Sequence, residues 1–154
     1  MDYRIEEKEE LRLLAYTKIF TYESCAEEIP VFWEEYYQNE LHKKVPGYLG
    51  ITQENFSTRG FPFSYGIGCY AHDVKEIPEG FQLITIPAST WAIFKCVGKV
   101  PDSIQKTWRD MYLEGLAGAD YEWILDYDIE YFLPGDTTSC DYVCEIWIPV
   151  KKRI

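Results

Sequence analysis

Phe32-Trp33-Glu34-Glu35-Tyr36-Tyr37 has an echo in Thr107-Trp108-Arg109-Asp110-Met111-Tyr112, with Trp108 standing 75 positions after Trp33. Both stretches carry apolar residues at helical spacing. In the second, Ile104, Trp108, Met111, Tyr112 and Leu116 form one stripe. Pro101 and Asp102 stand at its start and Gly118 just past its end, the residue types that open and close a helix. In the first, a helix is expected from Ile29 or Pro30 to about Leu41, with Phe32, Trp33, Tyr36, Tyr37 and Leu41 inward. Glu27, Glu28, Glu34, Glu35 and Glu40 then form a solvated face rather than a catalytic cluster. Two further echoes follow in the same order. Tyr48-Leu49-Gly50-Ile51 parallels Tyr121-Glu122-Trp123-Ile124, and Tyr65-Gly66-Ile67-Gly68 parallels Tyr142-Val143-Cys144-Glu145, at offsets of 73 and 77. Ordered echoes at nearly constant offset signal an internal duplication.

Between the helical stretches the period drops to two. From Tyr121 to Phe132 the odd-numbered residues are mostly apolar, while Glu122, Asp126, Asp128 and Glu130 point the other way, giving the expectation of one half-exposed strand with a wet acidic face. Further strands are read at Leu11–Thr21, Tyr48–Thr52, Phe63–Tyr70, Phe81–Pro87 running on through Trp91–Val97, and Asp141–Pro149. Turn residues separate them at Arg59-Gly60, Pro78-Glu79-Gly80 and Pro134-Gly135-Asp136. The order strand, helix, strand, strand occurs twice, in units of about 10–72 and 81–150. The expected fold is α+β, a tandem β-α-β-β duplication forming one antiparallel-rich sheet, with two helices on one face and a pocket at the pseudo-two-fold.

A chain of 154 residues with 47% hydrophobic content supports one core and one domain. Fifteen basic against 26 acidic residues give a net charge of −11, which argues against nucleic acid as a direct partner and favours cationic ligands. The first ten residues are charged and lack the apolar run of a signal peptide. No stretch approaches a membrane span, so a cytoplasmic location is expected. Cys25, Cys69, Cys96, Cys140 and Cys144 include no Cys-x-x-Cys pair and are expected to fill the core, and no metal or cofactor is expected.

No nucleotide-binding, zinc-protease or serine-hydrolase motif is present. Glu145 is what stands out. It lies in Tyr142-Val143-Cys144-Glu145-Ile146-Trp147-Ile148-Pro149, the most apolar strand, and projects with Val143 and Trp147 away from the core-facing Tyr142, Cys144, Ile146 and Ile148. Its counterpart in the first unit is Gly68, beside Gly66, and a glycine inside a strand marks close approach by backbone or ligand. A carboxylate facing a glycine-cleared surface, ringed by Tyr70 and Trp147, reads as a ligand cavity. An apolar setting makes a carboxylate costly unless it is paired, and flat aromatic walls suit a delocalised cation. Trp91, Trp108, Tyr112, Trp33, Tyr36 and Trp123 are further candidate walls.

The run Cys144-Glu145-Ile146-Trp147-Ile148-Pro149-Val150 resembles the closing strand of the gyrase-inhibitor-like (GyrI-like) effector-binding domains, the drug-binding part of several bacterial transcription regulators. Ile86-Pro87-Ala88-Ser89-Thr90-Trp91-Ala92-Ile93-Phe94, Leu14-Ala15 through Phe32-Trp33, and Tyr48-Leu49-Gly50-Ile51 are similar to other strands and helices of that family. The resemblance implies a tandem βαββ fold with a central pocket whose glutamate is Glu145, engaging amphipathic cations among aromatics for drug sensing or sequestration. It also implies two alternatives: a hydrolase of cyclopropane-bearing DNA-alkylating antibiotics using a glutamate and a tyrosine, and a protein partner, gyrase or a regulator. No helix-turn-helix is found beside the domain, so a complete DNA-binding regulator is not expected.

Overall fold

The computed structural model describes residues 2–54 and 62–154. Its elements run β1 Tyr3–Lys8, β2 Leu11–Phe20, α1 Cys25–Gln38, β3 Leu49–Gln53, β4 Phe63–Tyr70, β5 Gln82–Ile86, β6 Ser89–Val97, α2 Asp102–Leu113, β7 Tyr121–Trp123, β8 Tyr127–Phe132 and β9 Val143–Lys152. The nine strands form one sheet in the order β1-β6-β9-β8-β3-β4-β2-β5, with β7 pairing the end of β9. Every pairing is antiparallel. The turn expected at Arg59-Gly60 lies outside the described residues.

The strand order is symmetric about the β3/β8 junction. Exchanging β1 with β5, β2 with β6, β4 with β9 and β3 with β8 returns the same order. Each arm crosses over: β1 precedes β2 but pairs with β6, while β5 precedes β6 but pairs with β2. The first and third sequence echoes fall on equivalent elements, but the second does not: Tyr48–Ile51 runs into β3, whose counterpart is β8 rather than β7, where Tyr121–Ile124 begins. Strand β1 itself was not expected, because charged residues dominate its sequence.

A two-residue linker bends this sheet. Only Pro87 and Ala88 join β5, at one edge, to β6, next to the other. In a flat sheet six strand spacings of about 4.8 Å would put these strands roughly 29 Å apart. Three Cα–Cα steps reach about 11 Å at most. The sheet therefore curls, and Ile84 and Ile86 of β5 join Trp91 and Ile93 of β6 in one cluster with Leu13, Ala15, Leu49, Ile51, Ile129 and Trp147. That cluster contains no helical residue.

The other face carries both helices. Ile146, Glu130, Gly50 and Ile67 lie in one cross-strand row. Ile146 packs with Ile104 and Met111 of α2, and Ile67 with Phe32 and Tyr36 of α1. Helix α1 begins earlier than the sequence suggests, leaving Pro30 inside it. Proline lacks the N–H that would bond the carbonyl four residues back. The side chain of Gln105 fills that role, donating to the Ala26 carbonyl at 2.9 Å and tying α2 to α1. Glu27, Glu28, Glu34 and Glu35 of α1 are exposed as expected, as is Glu40 just beyond it, but Tyr37 and Tyr112, read as inward, are 46% and 62% exposed. Cys69, Cys96 and Cys144 are buried, Cys25 is half-buried, and Cys140 is exposed rather than a core filler.

The region 121–132 departs most from expectation. It is not one strand, since Ile124–Asp126 break it, and its acidic face is not wet. Asp128 is 7% exposed. The Glu130 carboxylate lies between the helices, accepting hydrogen bonds from Tyr65 Oη at 2.6 Å and Trp108 Nε1 at 2.8 Å. Trp33 Nε1 in turn donates to Tyr65 Oη at 2.9 Å. Trp108 of α2 and Tyr65 of β4 thus supply the polar partners that let β8 hold the Glu130 carboxylate away from water.

Candidate functional site

Strand β9 alternates cleanly: Cys144, Ile146, Ile148 and Val150 face the helices, while Trp147 belongs to the helix-free cluster. Glu145, two residues before Trp147, therefore projects onto the helix-free face. Pairing with β8 places Tyr131 directly opposite it. Four ring contacts form a chain across that face. Trp91 meets Trp147 at 6.2 Å, Trp147 meets Tyr131 at 5.6 Å, and Tyr48 lies 6.0 Å from both Tyr131 and Tyr70. Edge-to-face and tilted geometry suits rings with negative faces and positive edges. Tyr48 is locked by donating to Asp73 and accepting the Tyr70 N–H at 2.9 Å. Its hydroxyl is held above the ordinary tyrosine range first by burial and then by Asp73, so it remains a neutral donor.

The Glu145 carboxylate is 12% exposed and doubly held. Trp147 Nε1 donates to one oxygen at 3.1 Å, and the Arg4 guanidinium pairs with the other at 2.9 Å. Arg4 comes from β1, whose Tyr3 and Ile5 pack on the α2 side while Arg4, Glu6 and Lys8 alternate onto the helix-free face. Arg4 Nε also bonds Glu6 at 2.5 Å, and Lys8 Nζ stands 4.5 Å from the centroid of the Trp147 ring. Nearby, Trp91 Nε1 is buried with no acceptor among the described residues.

The sequence-derived candidates fall into two groups. Glu145, Trp147, Trp91 and Tyr70 come together on the helix-free face. Gly68 shares their face but for a different reason: a Cβ there would sit 1.6 Å from the Leu14 carbonyl oxygen, so the close approach is by the backbone of β2. Trp108 and Tyr112 lie across the sheet on α2, stacked with Trp123. Tyr112 and Trp123 line a groove of about 270 Å³ at the end of α2. Tyr36 lines a second groove of about 260 Å³ beside α1, and its hydroxyl donates to the Val45 carbonyl at 2.6 Å. Sequence reasoning missed Tyr131, Tyr48 and Arg4. Tyr131 shares its strand parity with Ile129, but only the β8–β9 register brings it to Glu145.

The curled antiparallel sheet thus carries both helices on one face and a carboxylate among aromatic rings on the other. The chain belongs to the GyrI-like small molecule binding domain family, whose sequence model matches residues 1–151. SAV2435, solved bound to tetraphenylphosphonium, superposes with a TM-score of 0.86 at 24% identity, over 98% of this chain and 94% of that one. A putative bacterial transcription regulation protein from Staphylococcus aureus MU50 gives a TM-score of 0.78 at 26% identity, over 98% and 99% of the two chains. EcmrR, solved in a complex with DNA, gives 0.60 at 17% identity, over 99% of this chain and 58% of that one. No curated protein matches the chain. Among the described residues no helix is long and apolar enough to cross a membrane.

Proposed function

We propose that the chain binds lipophilic organic cations on its helix-free face, with Glu145 as counter-ion and Trp147, Tyr131, Tyr70 and Trp91 as walls, in drug sensing or sequestration. The observation that carries this reading is the Glu145 carboxylate, largely withdrawn from water within a chain of aromatic rings and neutralised by a guanidinium that is itself half-exposed. Such a carboxylate needs a positive partner, and the rings reward a flat or aryl-bearing one. The tetraphenylphosphonium on SAV2435, a relative of the same fold, is a ligand of this chemistry.

The test is titration with tetraphenylphosphonium, followed by tryptophan fluorescence, against neutral triphenylphosphine oxide. The expected affinity for the cation is in the micromolar range, roughly −8 kcal/mol. Glu145→Gln should weaken cation binding by about 1–3 kcal/mol, the range for hydrogen bonds to charged groups, and leave the neutral compound nearly unaffected. Stability should change by about 1 kcal/mol or less, because Arg4, the charge left without its partner, is 51% exposed and is solvated by water instead. Equal loss for both compounds would remove the electrostatic role of Glu145.

A further inference from the structure

Strand β1 delivers two cations to one site. Arg4 pairs with the Glu145 carboxylate at 2.9 Å, and Lys8, four residues further along the strand, covers the Trp147 ring at 4.5 Å. These are the two contacts that an aryl cation would make, one with the carboxylate and one with an aromatic face. We infer that Arg4 is the specificity-determining residue of this site: it occupies Glu145 as an internal competitor, and a ligand is admitted only if it carries enough charge and apolar surface to displace a guanidinium. The inference rests on the reading that Glu145 is the ligand's counter-ion.

The geometry lets the displacement happen without disturbing the fold. The Arg4 side chain is 51% exposed, so its charge can move into water. Its Nε bond to Glu6 on the same strand remains available. The backbone of β1 is paired with β6 from Tyr3–Phe94 to Lys8–Ser89, so the strand can stay in place, and the Trp147 ring, 3% exposed beneath Lys8, is reached once both the Arg4 and Lys8 side chains have moved aside. Small hydrophilic cations gain nothing over Arg4, which is already tethered beside the carboxylate. Lipophilic cations add contact with the Trp147 and Tyr131 rings, where the cation already over Trp147 is Lys8 rather than Arg4.

The test uses the full chain and tetraphenylphosphonium as probe. Arg4→Ala should bind the cation about 2–5-fold more tightly, since a competing pair with a half-exposed arginine is removed. Arg4→Lys, which keeps a charge in place, should stay within about threefold of the parent, as Lys and Arg differ in fork geometry but not in sign. In the Glu145→Gln background Arg4→Ala should give no gain. Triphenylphosphine oxide should show no gain in any variant. Circular dichroism checks that each variant folds, and Arg4→Gln replaces Arg4→Ala if the shorter side chain unsettles β1. Unchanged or weaker cation binding by folded Arg4→Ala, with Glu145→Gln still weakening it, overturns this inference alone. A gain of the same size for triphenylphosphine oxide overturns it too, because steric opening would then be the cause. Indifference of cation binding to Glu145→Gln removes the counter-ion reading, and this inference with it.

Discussion

Gly68→Ala should abolish folding or lower the melting temperature by roughly 6–12 °C, the shift for about 3 kcal/mol in a domain of this size. The added methyl would stand 1.6 Å from the Leu14 carbonyl oxygen and 2.7 Å from its carbon. Both are backbone atoms held in the β2–β4 ladder, where Leu14 lies opposite Cys69 and Ala15 opposite Gly68. No rotamer change relieves that clash; the two strands must separate. The same ladder buries Leu13, Leu14 and Ile67 at 0–1% exposure, so separation also opens the core. Gly118→Ala is the comparison. Its Cβ would meet nothing within 4 Å, and only its φ of +76° opposes a side chain, which costs about 1–2 kcal/mol. Thermal melts of the two variants should differ clearly. A Gly68→Ala protein melting with or above Gly118→Ala would contradict the strand spacing described here.

Glu130→Leu should destabilise the fold by about 2–4 kcal/mol, because it strands two buried donors, the Trp108 indole N–H and the Tyr65 hydroxyl. Gly50 shows how closely that cluster is built: a Cβ there would lie 2.2 Å from Tyr65 Oη and 2.9 Å from Glu130 Oε1. Glu130→Gln keeps one acceptor and should lose less. Its pH dependence carries a separate signature. Burial, the largest influence, raises the Glu130 carboxyl, while the Tyr65 and Trp108 hydrogen bonds lower it in part. Asp128 is raised further, first by burial and then by Glu130. A carboxyl raised in the folded state holds its proton where the unfolded chain has released it. Its stabilising contribution is therefore complete below the ordinary carboxylate range and is lost as pH rises towards the folded value. Denaturant melts of the parent and Glu130→Gln at pH 4, 6 and 8 should show the parent's advantage shrinking with pH. An advantage that grows with pH would contradict an enclosed acid.

Both helices, most strands and the position of Glu145 on its strand were legible because each depends on local spacing. The α2 stripe from Ile104 to Leu116 and the alternation around Trp147 need no knowledge of partners. What could not be read depends on partners remote in sequence. Asp128 and Glu130 look wet because acids usually are, and what buries Glu130 is Tyr65, 65 residues away, and Trp108, 22 residues away. Strand β1 looks like a charged leader, yet its charges pair with each other and with Glu145. The early start of α1 was hidden by Pro30, which is tolerated because Gln105 serves the freed Ala26 carbonyl. Trp108, Tyr112 and Tyr36 read from sequence as walls of the Glu145 cavity because one-dimensional spacing does not say on which side of a sheet a helix lands.

The crossed arms of the sheet bear on how such a chain can originate. One repeat, an arm followed by its βαββ unit, contains one partner of every ladder linking the two halves: β1 with β6, β5 with β2, and β3 with β8. Two identical copies could close the same sheet by giving each other their arms, as a two-fold homodimer does with a self-complementary surface. Fusion through Pro87 and Ala88 makes that exchange intramolecular and frees the halves to diverge. A symmetric ancestor would carry either two carboxylates at its centre or none. Here β9 of the second repeat carries the glutamate and β1, the arm given by the first, supplies the arginine that answers it, so the charge pair on the helix-free face is built from both repeats across the exchange.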